Sequence, residues 1–369
     1  MSDAIATAIQ KLKSDCKIDS EFNAIYKKNI GNLLHKNPNF LYEDTDEDKE
    51  VIFNTLYTKV DEVSALSSTF NSTGKNLIYY SLYLSEQYVT LALKSLKSIL
   101  DNTTRTDFEV LFITDEPTKA KLISSEITSR IPCNYLITKT PQTGVGASIN
   151  KLLINRFERL NEFKKILYLD CDVICIKDIG QIFDNELNAN KLYVVRNNFN
   201  KIQSFCAMSH GLMYLTDKDA RFIIDNTDVV PFNAGQFLFL NTEKMRAHFN
   251  NVRWLINVWP GFYFFEQSFM NHYFALNGLT DQNLLAQYVS LIDSLKPDLV
   301  KTRIRAPIVT GSTNTACPIT EEQAHITIKK HSFKILHKDK DVLLHFAGTS
   351  LNGDNKIEYL TQYINAYRL

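Results

Sequence analysis

The chain has no surplus of charge of either sign, because 41 Lys and Arg residues balance 41 Asp and Glu residues. A net charge of zero gives no support for a nucleic-acid footprint, so we predict no nucleic-acid partner. The sequence also lacks an apolar run long enough to span a bilayer, and its first residues lack the apolar core of a secretory signal. We therefore expect a cytoplasmic protein without a transmembrane segment.

The six cysteines are scattered, without the spacing of a disulfide framework or a zinc site. This usage favours a reducing compartment. Cys171 and Cys175 would point to the same face of an extended strand, where we expect buried thiols. Hydrophobic residues make up 44% of the 369 positions, which suits a substantial core and argues against wholesale disorder. The length fits one large α/β domain with an accessory element.

Residues 164–178, KKILYLDCDVICIKD, form the most informative stretch. The apolar run before Asp170 has β-branched and aromatic members, which predicts a buried strand. Asp170 and Asp172 follow it one residue apart, and unpaired carboxylates are costly to bury, so the pair is expected to meet a cation or solvent. Hard oxygen ligands suit Mg²⁺ or Mn²⁺. From the spacing alone, a strand that ends in an acidic turn explains the pair equally well.

Strand and helix patterns alternate before this motif. They predict strands at 77–84, 108–114 and 134–138, a helix capped by Ser85, and helices at 117–130 and 147–160. Such alternation is typical of a parallel sheet covered on both faces, in which ligands bind at the carboxyl ends of the strands. Tyr88, Asp115 and Asp170 all follow predicted strands, so we expect them to line one crevice.

The remaining patterns are weaker. Further strands are predicted at 192–195, 236–240 and 341–346, and helical pieces within 280–330. Glu266 and Gln267 follow four aromatic residues and are explained either by contact with a polar substrate or by the start of a helix. A lone histidine at a strand end, such as His345, is more often structural than a ligand.

Four motifs occur in an order found in one known family. They are SEQYVTLALKSLKSIL at 85–100, YLDCDVICIKDIGQIFD at 168–184, FNAGQFLFL at 232–240 and HFAG at 345–348. Over about residues 75–350 the chain resembles glycosyltransferase family 8, the GT-A-fold group that includes glycogenin and bacterial lipopolysaccharide galactosyltransferases. The resemblance implies an α/β fold with a GT-A-type, Rossmann-like mixed sheet flanked by helices. We expect residues 1–72 to form a helical N-terminal extension and residues 73–369 the glycosyltransferase domain.

The resemblance also implies an activity: retaining transfer of a hexose from a UDP-sugar, UDP-glucose or UDP-galactose, to a hydroxyl of a glycan, protein or lipid. The expected metal is Mn²⁺, with Mg²⁺ as the alternative, and homodimers are common in the family. By family position, the implied metal ligands are Asp170, Asp172 and His345. The implied donor-binding residues are Tyr88 on the uracil ring, Asp115, Lys151, Asn233, Ala234, Gly235 and Gly348. Glu266 and Gln267 stand where the family usually has Asp-Gln, and they are the implied catalytic residues.

Two alternatives remain open from the sequence. Leu351 stands where the family commonly has a phosphate-binding lysine, with Lys356 or Arg196 as candidate replacements. This departure favours a catalytically degenerate protein that binds a UDP-sugar or a glycan. A haloacid-dehalogenase-type phosphatase also carries Asp-x-Asp after a strand, but here Ile174 occupies the fifth motif position, where that class has Thr or Val.

Overall fold

The computed structural model describes residues 60–69, 74–83, 85–141, 144–196, 231–258, 265–275, 277–291, 321–328 and 331–346. Most of the predicted extension at 1–72 therefore lies outside the described residues, and the division at residue 72 stays a prediction. Helix α1, Val60–Ala65, is the described helix of this extension. Its Val63 is fully buried, and the carbonyl of Ser67 accepts a hydrogen bond from the backbone N–H of Lys244 in a later helix.

The described strands are numbered in chain order. They are β1 (Lys75–Ser81), β2 (Phe108–Thr114), β3 (Cys133–Ile137), β4 (Phe163–Leu169), β5 (Val173–Cys175), β6 (Leu192–Arg196), β7 (Phe232–Leu240), β8 (Thr280–Asp281), β9 (Val289–Leu291), β10 (Glu321–Ile328), β11 (His331–Lys338) and β12 (Leu343–His345). Within these ranges the main sheet has seven strands in the order β3-β2-β1-β4-β7-β6-β8. The strands predicted at 108–114 and 192–195 agree with β2 and β6 to within one residue.

The main sheet is mixed. Strands β1 to β4 are parallel to one another, as the alternating strand and helix patterns predict. Strand β7 then runs antiparallel to both of its neighbours, β4 and β6. Helices cover both faces, so the GT-A-type fold class implied by the family resemblance is confirmed.

The other described helices follow the same numbering. They are α2 (Glu86–Asn102), α3 (Glu116–Ile123), α4 (Gly144–Ile149), α5 (Gly180–Phe183), α6 (Glu243–Val258) and α7 (Phe265–Met270). Ser85 caps α2 as predicted, because its hydroxyl accepts a hydrogen bond from the backbone N–H of Gln87. In the described ranges no helix is long and apolar enough to cross a bilayer.

Two helix predictions were wrong in extent or type. The helix expected at 117–130 ends at Ile123, and the Thr128 hydroxyl closes the turn that follows, with its one hydrogen shared between the carbonyls of Leu122 and Ser125. The helix expected at 147–160 is instead α4 followed by two 3₁₀ segments, Asn150–Arg156 and Glu158–Glu162, and the extended backbone of Phe157 separates them.

The described part of 280–330 is mainly strand where helical pieces were expected. It contains β8, β9 and β10, and its helical content is one 3₁₀ turn, Leu285–Gln287. The predicted strand at 341–346 is shorter, as β12. This strand lies between β5 and β9 in a second, three-stranded sheet, while β10 and β11 form a separate antiparallel hairpin.

The core has two layers, one on each face of the main sheet. Side chains alternate along β1, so Ile78 and Tyr80 enter one layer while Leu77 and Tyr79 enter the other. Helix α2 covers the first layer, and α6 with α7 covers the second. Cys171 and Cys175 are both buried in the first layer, which confirms the expectation of buried thiols.

A polar cluster is buried beneath α6. The His248 Nδ1 lies 2.9 Å from the Tyr273 hydroxyl, and Asn251 donates to the same hydroxyl at 2.8 Å. Burial, together with the nearby charge of Lys244, lowers the pKa of His248 from 6.5 to about 4. The imidazole is therefore neutral in the folded protein over the pH range in which the unfolded chain takes up a proton.

This difference predicts a pH-dependent stability. Above pH 6.5 His248 is neutral in both the folded and the unfolded chain and costs no stability. As the pH falls from 6.5 towards 4, the unfolded chain takes up the proton first, and the free energy of unfolding decreases by about 3 kcal/mol in total. We expect His248→Gln to flatten the slope of unfolding free energy against pH in that window, measured by urea unfolding at several pH values. Equal slopes for the wild type and the variant would contradict the assignment.

Candidate active site

The carboxyl end of β4 brings two carboxylates and an imidazole together. The His345 Nε2 lies 3.2 Å from Asp172 Oδ1 and 3.9 Å from Asp170 Oδ2. One potential ligand atom from each of the three residues lies within 4.8 Å of the others. The structure thus assembles the three residues that the family resemblance implied as metal ligands.

Strand pairing explains how a residue so distant in sequence reaches the Asp pair. Strand β12 runs antiparallel to β5, and His345 is in register with Val173, the residue after Asp172. The backbone N–H of Phe346 also donates to the carbonyl of Asp172 at 3.0 Å. The second sheet therefore fixes the histidine against the turn that carries the carboxylates.

Strand β7 contributes a backbone bulge to the same place. Val194 pairs with Phe237, yet the next residue, Val195, pairs with Asn233, so residues 234–236 are additional on the β7 side. The carbonyl of Gly235 accepts a hydrogen bond from the N–H of Asp170 at 2.7 Å. The N–H of Gly235 itself donates to the side-chain oxygen of Asn233 at 2.8 Å.

Gly235 has a steric role at this bulge. A Cβ atom at this position would lie 2.3 Å from His345 Cε1 and 2.6 Å from Asp170 Oδ2. Any larger residue would therefore enter the space between the carboxylate and the imidazole. The glycine keeps that space open.

Lys151 connects the carboxylate cluster to a second group of residues. It belongs to the 3₁₀ segment after α4 and is 3% exposed. Its Nζ lies 2.7 Å from Glu266 Oε1, 3.3 Å from Asp170 Oδ1 and 3.2 Å from the carbonyl of Ala234. Burial lowers the pKa of Lys151, but the two carboxylates outweigh this effect and raise the pKa to about 12, so the ammonium is charged.

Glu266 and Gln267 lie in the first turn of α7, so both sequence interpretations of this pair are compatible with the structure. Glu266 is buried against Lys151, whereas the Gln267 Oε1 accepts a hydrogen bond from the N–H of Ala234 at 2.9 Å. Asn271, one turn later, exchanges hydrogen bonds with the backbone N–H and carbonyl of Phe232 at 2.8 and 2.9 Å. Helix α7 and the residue that follows it therefore hold β7 at two points, one at the bulge and one just before it.

Tyr88 and Asp115 follow the neighbouring strands β1 and β2 and have different environments. Tyr88 is 53% exposed in the first turn of α2, so its ring is available at the surface. Asp115 is buried as the N-cap of α3, where it accepts hydrogen bonds from the Thr118 N–H and the Thr140 hydroxyl. Burial raises the pKa of Asp115, but these bonds outweigh it and hold the pKa below its ordinary value. Both carboxylate oxygens therefore already have partners.

The fourth motif is only partly described. Gly348, Leu351 and Lys356 lie outside the described residues, so their implied roles stay predictions. Arg196 ends β6 in register with Phe232, one residue before Asn233, and is thus at the same edge of the sheet as the bulge.

Sequence reasoning missed Tyr168 as a site residue. Tyr168 is buried near the end of β4, and its hydroxyl donates a hydrogen bond of 2.5 Å to Asp170 Oδ1. The signal was present in the spacing, because residues two apart in a strand point to the same face. The strand periodicity that placed Cys171 and Cys175 on one face also places Tyr168 on the same face as Asp170.

The donor set fits a divalent cation. Two carboxylate oxygens and one imidazole nitrogen converge on a space that Gly235 keeps free of side-chain atoms. Converging carboxylates repel each other unless a cation lies between them. The mixed oxygen and nitrogen set suits Mn²⁺ better than Ca²⁺.

Comparisons with known proteins place this site in a family. The sequence profile of glycosyl transferase family 8 matches residues 80–275, which is more than half of the chain. No curated protein sequence matches the chain.

Several solved structures are similar at low sequence identity. The bifunctional glycosyltransferase WbbM is 16% identical with a TM-score of 0.45, and the match covers 82% of this chain and 52% of WbbM, so the chain spans about half of that protein. The galactosyltransferase LgtC, in complex with donor and acceptor sugar analogues, is 13% identical with a TM-score of 0.45, covering 79% of this chain and 95% of LgtC. Mouse xyloside xylosyltransferase 1 is 15% identical with a TM-score of 0.39, and the match covers 59% of this chain and 87% of the mouse protein.

The family assignment rests on the sequence match, which includes β4, the Asp pair, the β7 bulge and α7. The chain belongs to glycosyl transferase family 8.

Proposed function

We propose that the protein is a metal-dependent, retaining glycosyltransferase that moves a hexose from a UDP-sugar to an acceptor hydroxyl. The observation that carries the proposal is the convergence of Asp170, Asp172 and His345 at the carboxyl end of β4, in a chain of this family. That edge of a parallel sheet is where α/β proteins bind nucleotides. Family membership also argues against the phosphatase alternative.

Under this proposal Asp170, Asp172 and His345 hold the cation, Mn²⁺ or alternatively Mg²⁺. A divalent cation there supplies Lewis-acid charge to the diphosphate leaving group. Gly235 leaves room for it, and its backbone carbonyl fixes the position of Asp170. The cluster is therefore shaped before any ligand arrives.

The donor would lie across the edge of the sheet. Tyr88 offers an exposed ring for stacking on uracil, a contact worth about 1–3 kcal/mol where a base stacks on an aromatic side chain. Asn233 and the bulged residues Ala234 and Gly235 provide the sugar side, with Gly348 as a further donor contact. Asp115 is proposed to act near the base or ribose through the helix start that it caps.

The stereochemical proposal rests on Gln267. An amide is a poor nucleophile, so a covalent intermediate on this side chain is disfavoured and attack from the same face as the leaving group is the mechanism we propose. In that route the departing phosphate accepts the proton of the acceptor hydroxyl. Glu266 does not need to touch the sugar: it holds Lys151, which in turn contacts Asp170 and the carbonyl of Ala234.

The acceptor is proposed to be a hydroxyl of a glycan, protein or lipid, and the protein a homodimer. These two features rest on the family alone.

The test of the function is release of UDP from a panel of UDP-sugars, with and without Mn²⁺. We expect Mn²⁺-dependent hydrolysis of one sugar, UDP-glucose or UDP-galactose, in the absence of an acceptor. Binding of UDP without release from any sugar, with or without candidate acceptors, would favour the degenerate binding protein. Absence of UDP binding would overturn the proposal.

Removal of a metal ligand provides a sharper prediction. Asp172→Ala is expected to abolish Mn²⁺-dependent UDP release while the melting temperature without metal stays close to that of the wild type. The matched control is Asp184→Ala, because that carboxylate is 69% exposed and pairs with Arg105 away from the cluster. Full activity of Asp172→Ala would contradict the metal assignment.

Gly235 gives a prediction that tests the space itself. In Gly235→Ala the new methyl group would collide with His345 Cε1 and Asp170 Oδ2, so we expect Mn²⁺ affinity to fall at least tenfold. Calorimetric titration with Mn²⁺ in the presence of UDP measures the effect. Unchanged affinity would show that the cation does not lie between these residues.

A further inference from the structure

The two oxygens of Asp170 have different surroundings. Oδ1 accepts the hydrogen bond of the Tyr168 hydroxyl and lies 3.3 Å from the ammonium of Lys151. Oδ2 lies on the side of His345 and of the gap beside Gly235. One oxygen is thus occupied by the protein and the other is directed to the candidate metal position.

Tyr168 is better suited than Lys151 to control Oδ1. Lys151 Nζ is closer to Glu266 than to Asp170 and also contacts the carbonyl of Ala234. The Tyr168 hydroxyl has a single hydrogen to donate, and it is directed to Asp170.

The Tyr168 ring is fixed by its neighbours. It packs against Phe237 with ring centroids 4.8 Å apart and against Tyr79 at 4.9 Å. Lys151 Nζ lies over the same ring at 4.6 Å from its centroid. The hydroxyl therefore cannot swing away from Asp170 without disturbing this packing.

We infer that Tyr168 is a positioning residue that makes Asp170 a one-oxygen ligand and thereby sets the choice of metal. Ca²⁺ takes six to eight oxygen ligands and readily uses both oxygens of a carboxylate, whereas smaller octahedral cations need fewer protein oxygens. Because Oδ1 of Asp170 is hydrogen-bonded to Tyr168, only Oδ2 is available to a metal ion, and Ca²⁺ cannot use both oxygens of this carboxylate. The inference rests on the proposed metal-dependent function and adds a determinant of metal selectivity to it.

The experiment compares Tyr168→Phe with the wild-type chain by calorimetric titration of Mn²⁺ and of Ca²⁺, each with and without UDP. We expect a loss of Mn²⁺ affinity of about tenfold, the lower end of what changes around a metal ligand typically cause. The loss for Ca²⁺ is expected to be smaller, so the ratio of Mn²⁺ to Ca²⁺ affinity falls. A phenylalanine fills the same ring volume, and the melting temperature without metal reports whether the fold is kept.

The matched control is Tyr80→Phe. This neighbouring tyrosine is also buried, but it lies in the other core layer and bonds to the Ser95 hydroxyl. The Tyr80→Phe variant also loses one buried hydroxyl group, and we expect its affinities for Mn²⁺ and Ca²⁺ to equal those of the wild type.

The outcomes separate the inference from the function on which it rests. If the wild type binds neither metal with UDP present, the proposed metal dependence fails. If the wild type binds Mn²⁺ and Tyr168→Phe keeps the same ratio of affinities, the inference about Tyr168 is overturned.

A second variant keeps the test decisive if Tyr168→Phe does not fold. The double variant Lys151→Met/Glu266→Gln removes the other contact to Oδ1 without leaving a buried charge unpaired. Loss of the ammonium changes both affinities in the same direction, so the ratio remains the readout. Because Tyr168 still holds Oδ1 in this variant, we expect the ratio to stay close to that of the wild type. A fall in the ratio would assign control of Oδ1 to Lys151 and overturn the inference.

Discussion

A buried ammonium held between two carboxylates is the interaction on which the site depends. Lys151 is almost fully excluded from solvent, and a buried charge costs several kcal/mol unless it is paired and hydrogen-bonded. Asp170 at the end of β4 and Glu266 at the start of α7 provide that pairing, and the carbonyl of Ala234 completes it. Three segments far apart in sequence are thereby held at fixed distances. Loss of the ammonium would leave the Glu266 carboxylate buried without its ionic partner.

The backbone bulge of β7 depends on this arrangement. A bulge exposes N–H and carbonyl groups that regular strand pairing would satisfy. Here Asp170, Asn233, Gln267 and Lys151 bond to those groups, so the irregular backbone of Ala234 and Gly235 is fixed from both sides. The shape of the site is therefore set by hydrogen bonds of the scaffold itself, which is the preorganisation that electrostatic catalysis needs.

Local sequence patterns predicted the parallel strands well and the rest of the sheet less well. Strand β2 was predicted with its observed bounds because a continuous apolar run carries its own signal. The antiparallel direction of β7 and its bulge depend on register with β4 and β6, which the periodicity of one strand does not encode. The helix predicted at 147–160 failed for a related reason: its apolar spacing is helical, but Phe157 adopts an extended backbone that divides the segment.

The site residues were predictable to different degrees for physical reasons. Asp170 and Asp172 stood out because two carboxylates one residue apart are rarely core residues. Lys151 and His345 had no such signal, since their importance arises from partners distant in sequence, and only the family resemblance pointed to them. Tyr168 carried a signal in its spacing to Asp170, but a tyrosine inside an apolar run also fits an ordinary core position, and the structure gives it both roles.

Glu266, the acidic residue before Gln267, is one methylene group longer than the aspartate that the family usually has there, and this changes which groups it can contact. The family has aspartate at this position, and the longer Glu266 here reaches Lys151 at 2.7 Å while its side chain stays buried. Its Oε1 is on the buried ammonium and its side chain is only 7% exposed, so the carboxylate offers little accessible surface to a sugar hydroxyl. Under the proposed function, discrimination between hexoses then depends on Gln267 and on Asn233 beside the bulge. Under the same proposal, Glu266 acts through Lys151, which contacts both the carbonyl of Ala234 and the carboxylate of Asp170.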